Sequence, residues 1–133
     1  LSFAAQIASK FPGLRFVLDH LAKPLIASGE LSQWQDGILA LAAHENVCCK
    51  VSGMVTEANW TAWKTEDFKA YLDVVFEAFG PQRLLFGSDW PVCGLAADYR
   101  QVYGITDGYV RAFHPTAFQS IFRDNARSVY RLT

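Results

Sequence analysis

An aspartate and a histidine stand where two apolar runs stop. In RLLFGSDWPV, residues 83 to 92, the run ends on Asp89 just before a Trp-Pro turn, and in LRFVLDH, residues 14 to 20, it ends on Asp19 and His20. Short apolar runs bounded by turn signals read as buried parallel strands, so each would deliver a titratable group to its C-terminal end. A carboxylate there can take a proton from water, and an imidazole can stabilise the oxyanion that develops as water attacks a carbonyl. Asp89 and His20 are therefore the leading catalytic candidates. Taken alone, an Asp after Gly-Ser is equally a turn or cap residue, and a lone His at a strand end often serves only a loop carbonyl.

The elements that must position these groups follow from periodicity. Residues 1 to 11 (apolar at Leu1, Phe3, Ile7 and Phe11) predict an amphipathic helix stopped by Pro12-Gly13, and Leu14 to Asp19 a strand. After a polar connection, Leu31, Trp34, Ile38 and Leu41 recur at helical spacing and predict a helix to about Asn46. Val47 to Ser52 then form a second strand, interrupted by Lys50, whose charge must pair inside the fold or face solvent. Thr65 is a good N-cap, followed by Glu66 and Asp67 in the favoured first turn, for a helix carrying Phe68, Tyr71, Leu72, Val75 and Phe79. Gly80-Pro81 ends it, and Leu84 to Ser88 form the third strand. Helices are expected from Asp98 to Phe113, from Pro115 to Arg123, and in a terminal segment with Val129 and Tyr130.

The strand starts are separated by roughly 30 to 37 residues with a helix between each pair, as right-handed βαβ units require. The fold class is α/β, in one domain with no linker. Three parallel strands fit either a small doubly wound sheet or part of a barrel, and periodicity does not choose between them. At 133 residues the chain falls well short of the ~250 typical of a whole eight-fold βα barrel.

Composition excludes several classes of partner. Twelve basic against 13 acidic residues leave a net charge of −1 and no basic stripe to track a phosphate backbone, so nucleic acid is not an expected partner. No apolar run approaches the ~20 residues of a membrane span, and no signal peptide is visible at the N-terminus. Cys48, Cys49 and Cys93 lack metal-site spacing, and the adjacent pair would point to opposite faces of a strand. Buried reduced thiols in a cytoplasmic protein are expected.

Four ordered motifs, DHLAKP at 19 to 24, CKVSGMVTEANW at 49 to 60, LLFGSDWP at 84 to 91 and RDNARSVYRL at 123 to 132, resemble the amidohydrolase family. The likeness is strongest to its L-fuconolactonase and L-rhamnonolactonase types and to 2-pyrone-4,6-dicarboxylate lactonase. The resemblance implies a (β/α)8 TIM barrel of which this chain holds strands six to eight, as a C-terminal portion. It makes Asp89 the strand-eight general base and His20 the strand-six histidine of a hydrolase, metal-dependent or metal-independent, that opens a sugar-acid lactone. An amidohydrolase-type decarboxylase, or a silent fragment needing a partner half, are the alternatives. The His-x-His pair of the family's first strand is absent, since the only histidines are His20, His44 and His114. Ala22 stands where the family motif usually has Gly, a change that adds one methyl.

Further expectations follow from position. Asp19 should anchor neighbouring backbone and Lys50 should find a structural partner. Glu57, Asn59 and Trp60 lie on the loop after the second strand, where they would meet a polar substrate or simply be solvated. Trp90 would stack on a sugar ring or plug the barrel mouth. His44 and His114 read as surface or capping residues. His20 and Asp89 supply two of the three protein ligands a zinc site takes, so no complete metal site is expected in this chain, while the resemblance allows a divalent ion such as zinc shared with upstream histidines in a longer protein. The open sheet edges predict an oligomer or association with an N-terminal half, and the chain alone is expected to be inactive.

Overall fold

Residues 1–133 are described by a computed structural model in which helices and strands alternate. Helix α1 (Ser2–Lys10) leads to strand β1 (Phe16–Leu18), and α2 (Ser32–Ala42) leads to β2 (Val47–Val51). A short helix α3 (Met54–Glu57) and then α4 (Lys69–Phe79) precede β3 (Leu84–Phe86), after which come α5 (Tyr99–Phe113) and α6 (Asn125–Tyr130). The strands pair in parallel in the order β1-β2-β3, with Leu18 beside Cys49 and Lys50 beside Leu85. The Gly87 N–H donates to the Val51 carbonyl at 3.1 Å, carrying the β2–β3 ladder one step beyond β3.

The period of two along β2 separates two environments. Val47, Cys49 and Val51 join the apolar core with Ile38, Leu41, Leu72, Val75 and Phe79, while Cys48, Lys50 and Ser52 fall on the other face. Helix α4 closes the core because Tyr71, Leu72, Val75, Phe76 and Phe79 recur at helical spacing and are all buried. Burying one such large apolar side chain is worth about 1.5–3 kcal/mol. Asp98 caps α5 through its carboxylate on the Gln101 N–H at 2.8 Å, and the Gln101 side chain returns the bond to the Asp98 N–H at 2.9 Å.

Where the strands begin, side chains bind backbone carbonyls. Asn46 Nδ2 donates to Ala8, Phe11 and Leu14 carbonyls at 3.0–3.1 Å. Arg83 Nη1 donates to those of His44 and Val47 at 3.0 and 3.2 Å. Asn125 Nδ2 donates to those of Pro81 and Leu84, both at 2.7 Å, fastening α6 to the start of β3. The Phe11 and His44 carbonyls also accept the backbone N–H groups of Leu14 and Val47 at 3.0 and 3.1 Å, so side-chain and backbone donors share these turns.

Several boundaries differ from expectation. β1 and β3 are three residues each because only those positions pair with β2. α2 stops at Ala42, since the chain must turn for Asn46 to reach its three carbonyls. Lys64, not Thr65, precedes the first turn: its N–H is accepted by Asp67 Oδ2 at 2.8 Å, and a 3-10 turn over Thr65–Phe68 runs into α4. The final two segments are nearly continuous, joined by a wide π-helical turn over Ser120–Asp124. All three cysteines are free and buried, and no helix is long and apolar enough to cross a membrane.

Candidate active site

β1 and β3 flank β2, so groups leaving their C-terminal ends meet over the end of the middle strand. The chain leaves β1 through an uncommon turn, with His20, Leu21, Ala22 and Lys23 all left-handed at φ 48, 52, 57 and 53°. This conformation costs L-residues roughly 1–2 kcal/mol each. It folds the imidazole back over β2 and brings His20 Nδ1 to 2.8 Å from Ser52 Oγ. Gly53 leaves the room, since a Cβ there would lie 2.7 Å from His20 Cβ and 3.0 Å from Nδ1, and its φ of +67° favours glycine besides.

Asp89 arrives from β3 with φ of 59°, a region Asp tolerates better than most residues, followed by a cis Trp90-Pro91 peptide. Its carboxylate, only 10% exposed, puts Oδ1 at 3.4 Å from His20 Nε2. Asp19 Oδ2 lies 3.3 Å from the same nitrogen, and Asp19 Oδ1 is 2.9 Å from Lys50 Nζ. Two residues 69 positions apart in sequence thus stand side by side, as expected. Asp19 does accept a backbone bond, from the His20 N–H at 3.1 Å, but it is also the partner that Lys50 needed and a neighbour of the imidazole.

The charges reinforce one another. Burial alone would raise the Asp19 carboxyl, but the hydrogen bond from Lys50 and the nearby His20 hold it below the ordinary aspartate value. Burial alone would lower Lys50, but Asp19, helped by the Tyr130 hydroxyl, holds it above the ordinary lysine value. At the rim Lys23 Nζ sits 2.8 Å from Glu57 Oε1, which raises the lysine, with a smaller push from Asp89.

The other candidates lie further out. Glu57 is the last residue of α3, a helix the sequence did not signal, and its carboxylate accepts from Lys23 Nζ at 2.8 Å. Asn59 Oδ1 accepts from the Thr61 N–H and Oγ1 at 3.2 and 3.3 Å, and Trp60 Nε1 donates to the Thr56 carbonyl at 2.8 Å, so both use their polar atoms locally. Trp90 is 74% exposed and plugs nothing within this chain. His44 lies in the turn after α2, and His114 caps α5 with its ring stacked on Phe76 at 4.7 Å. Ala22 in the left-handed turn carries strain as well as its extra methyl. Ser52 was missed, although it shares the alternating face of β2 with Lys50.

The amidohydrolase family model matches residues 1–132. The chain belongs to the amidohydrolase family. Among curated relatives, an L-fucono-1,5-lactonase from Burkholderia multivorans is 43% identical over 105 residues, covering 72% of this chain and 36% of the relative. The L-fucono-1,5-lactonase of Burkholderia ambifaria is 40% identical over 133 residues, covering 94% and 44%. A crystal structure of an amidohydrolase from Burkholderia multivorans with bound zinc matches with a TM-score of 0.92 at 34% identity, covering 97% of this chain and 48% of that one. The chain spans less than half the length of the curated amidohydrolases it matches here.

Proposed function

We propose that this chain supplies one wall of the active site of a sugar-acid lactone hydrolase, with a lactone of the L-fucono type as substrate. The observation that carries the reading is the meeting of Asp89 and His20 at 3.4 Å over the end of β2, in a chain whose relatives include L-fucono-1,5-lactonases. Ionised Asp89 takes a proton from water as the oxygen bonds to the lactone carbonyl carbon. The carbonyl becomes a tetrahedral oxyanion, which a donor at His20 stabilises. Collapse breaks the ring C–O bond, and the proton held by Asp89 passes to the departing alkoxide, leaving a hydroxy acid. Glu57 and Lys23 at the rim are suited to the sugar hydroxyls, and exposed Trp90 to the apolar face of the ring.

In the same reading the sheet is strands six to eight of a (β/α)8 barrel, in which loops at the strand C-terminal ends converge on one mouth. Both outer strands keep an unpaired edge, which the remaining strands of a barrel, or another copy of the chain, would cover. Zinc is bound in one related structure; His20, Asp19 and Asp89 gather around one ring nitrogen here, but no group of three His, Cys, Asp or Glu side chains is arranged to hold an ion. His20 and Asp89 fall one ligand short of a tetrahedral site with water, and no step is assigned to a metal.

The test is full-length protein given a panel of aldonolactones, read by proton release. Hydrolysis of an L-fucono-type lactone that falls at least a hundredfold in Asp89→Asn is the expected result. An unchanged rate in Asp89→Asn would remove Asp89 from the mechanism. The isolated 133-residue chain is expected to be inactive until mixed with an upstream half.

A further inference from the structure

Ser52 is 1% exposed, and its hydroxyl has a single partner, His20 Nδ1 at 2.8 Å. A serine hydroxyl can donate one hydrogen bond and accept others. Were Nδ1 to carry a proton and donate it, the serine proton would be left without an acceptor in a place no outside group can reach. An orphaned buried donor is costly. The serine must therefore donate and Nδ1 accept. The other ring nitrogen gives the same answer independently: Nε2 faces Asp19 Oδ2 at 3.3 Å and Asp89 Oδ1 at 3.4 Å. An Nε2 lone pair set against two carboxylate oxygens would be repulsive, whereas an N–H there is attractive.

We infer that Ser52 is a positioning residue that holds His20 as the Nε2–H tautomer, with Nε2 on the side of the ring near the Asp19 and Asp89 carboxylates. Gly53 packs directly on the ring, since any Cβ there would press on His20 Cβ, Cγ and Nδ1. Serine and glycine together set both the proton and the angle of the imidazole. His20 then acts as a hydrogen-bond donor, never as the base, which leaves proton abstraction to Asp89. The catalytic consequence rests on the lactone hydrolase reading, but the tautomer does not.

The tautomer is read directly in full-length protein labelled with 15N-histidine, using long-range proton–nitrogen correlation and His20→Gln to assign the ring. Nε2 is expected to be the protonated, pyrrole-type nitrogen and Nδ1 the unprotonated one. A protonated Nδ1 in the neutral ring overturns the inference. In the second arm, Ser52→Ala is expected to lower kcat on L-fucono-1,5-lactone about tenfold, the equivalent of one hydrogen bond, with KM nearly unchanged, and Ser52→Thr to recover most of it. A wild-type kcat in Ser52→Ala overturns the positioning role. If no lactone is turned over, the hydrolase reading fails while the nitrogen spectrum still decides the tautomer.

Discussion

The two ends of one small sheet are built on opposite principles. Where the strands start, Asn46, Arg83 and Asn125 donate to backbone carbonyls, so side chains there complete the hydrogen bonding of the fold. Where the strands finish, His20, Asp19, Asp89, Lys50 and Ser52 bind mainly one another, on a backbone that runs left-handed at five non-glycine positions around the site. One end stabilises; the other stores strain and concentrates charge, the usual condition of a site that must react. In the reading proposed above, stability and chemistry separate along a strand only a few residues long.

The separation can be broken most sharply at Asn125. Asn125→Ala leaves two carbonyls at the start of β3 without their 2.7 Å donors, and should cost about 2–4 kcal/mol in urea unfolding with kcat per folded molecule unchanged. A large fall in kcat with intact stability would show that the two ends are not independent. At the opposite end, Gly53→Ala should reverse the pattern. The new methyl displaces the His20 ring, and misplacement on the order of an ångström costs about a hundredfold in rate, while unfolding shifts by about 1–2 kcal/mol from the left-handed backbone with the overlap on His20 Cβ added to it.

Ala22→Gly tests the stored strain itself. At φ 57° glycine relieves a penalty of about 1 kcal/mol, so the melting temperature should rise with the rate unaltered; a fall in melting temperature would contradict the assignment of strain.

The smallest effect is the acid limb of stability. Asp19 is held below its ordinary value, so its pairing with Lys50 stabilises the fold above the ordinary aspartate range and is lost as pH falls through the depressed value. Lys50 is held above its ordinary value, so the same pair weakens only as pH rises beyond the ordinary lysine range. Asp19→Asn should flatten the acid limb of an unfolding profile while leaving the profile near neutrality only slightly lowered. An unchanged acid limb would mean that the half-exposed pair contributes nothing.

Local patterns were legible at the sequence level wherever a single element carries the signal. α4 follows its apolar spacing, α1 forms where expected although Leu1, Phe3 and Phe11 of its apolar pattern stay exposed, α5 spans close to its expected bounds, Asp98 and Gly80 mark helix ends, and His20 and Asp89 stand where apolar runs stop. What escaped depends on register between strands. Lys50 meets Asp19 because Leu18 pairs with Cys49 and the next positions align. Ser52 meets His20 because a left-handed turn, marked by no glycine, bends the chain back. The short helix α3 is a single turn, too brief to show a period.

The central claim is that Asp89 and His20 act as one unit, and a double-mutant cycle tests it most directly. Full-length protein with Asp89→Asn, His20→Gln and both changes is assayed for kcat/KM on L-fucono-1,5-lactone. Each single change should cost about 10²–10⁴-fold, and the double should be little worse than the more damaging single, because removing either group already disables the pair. Losses that multiply in the double variant would mean that the two residues act independently and that their 3.4 Å contact has no part in the chemistry.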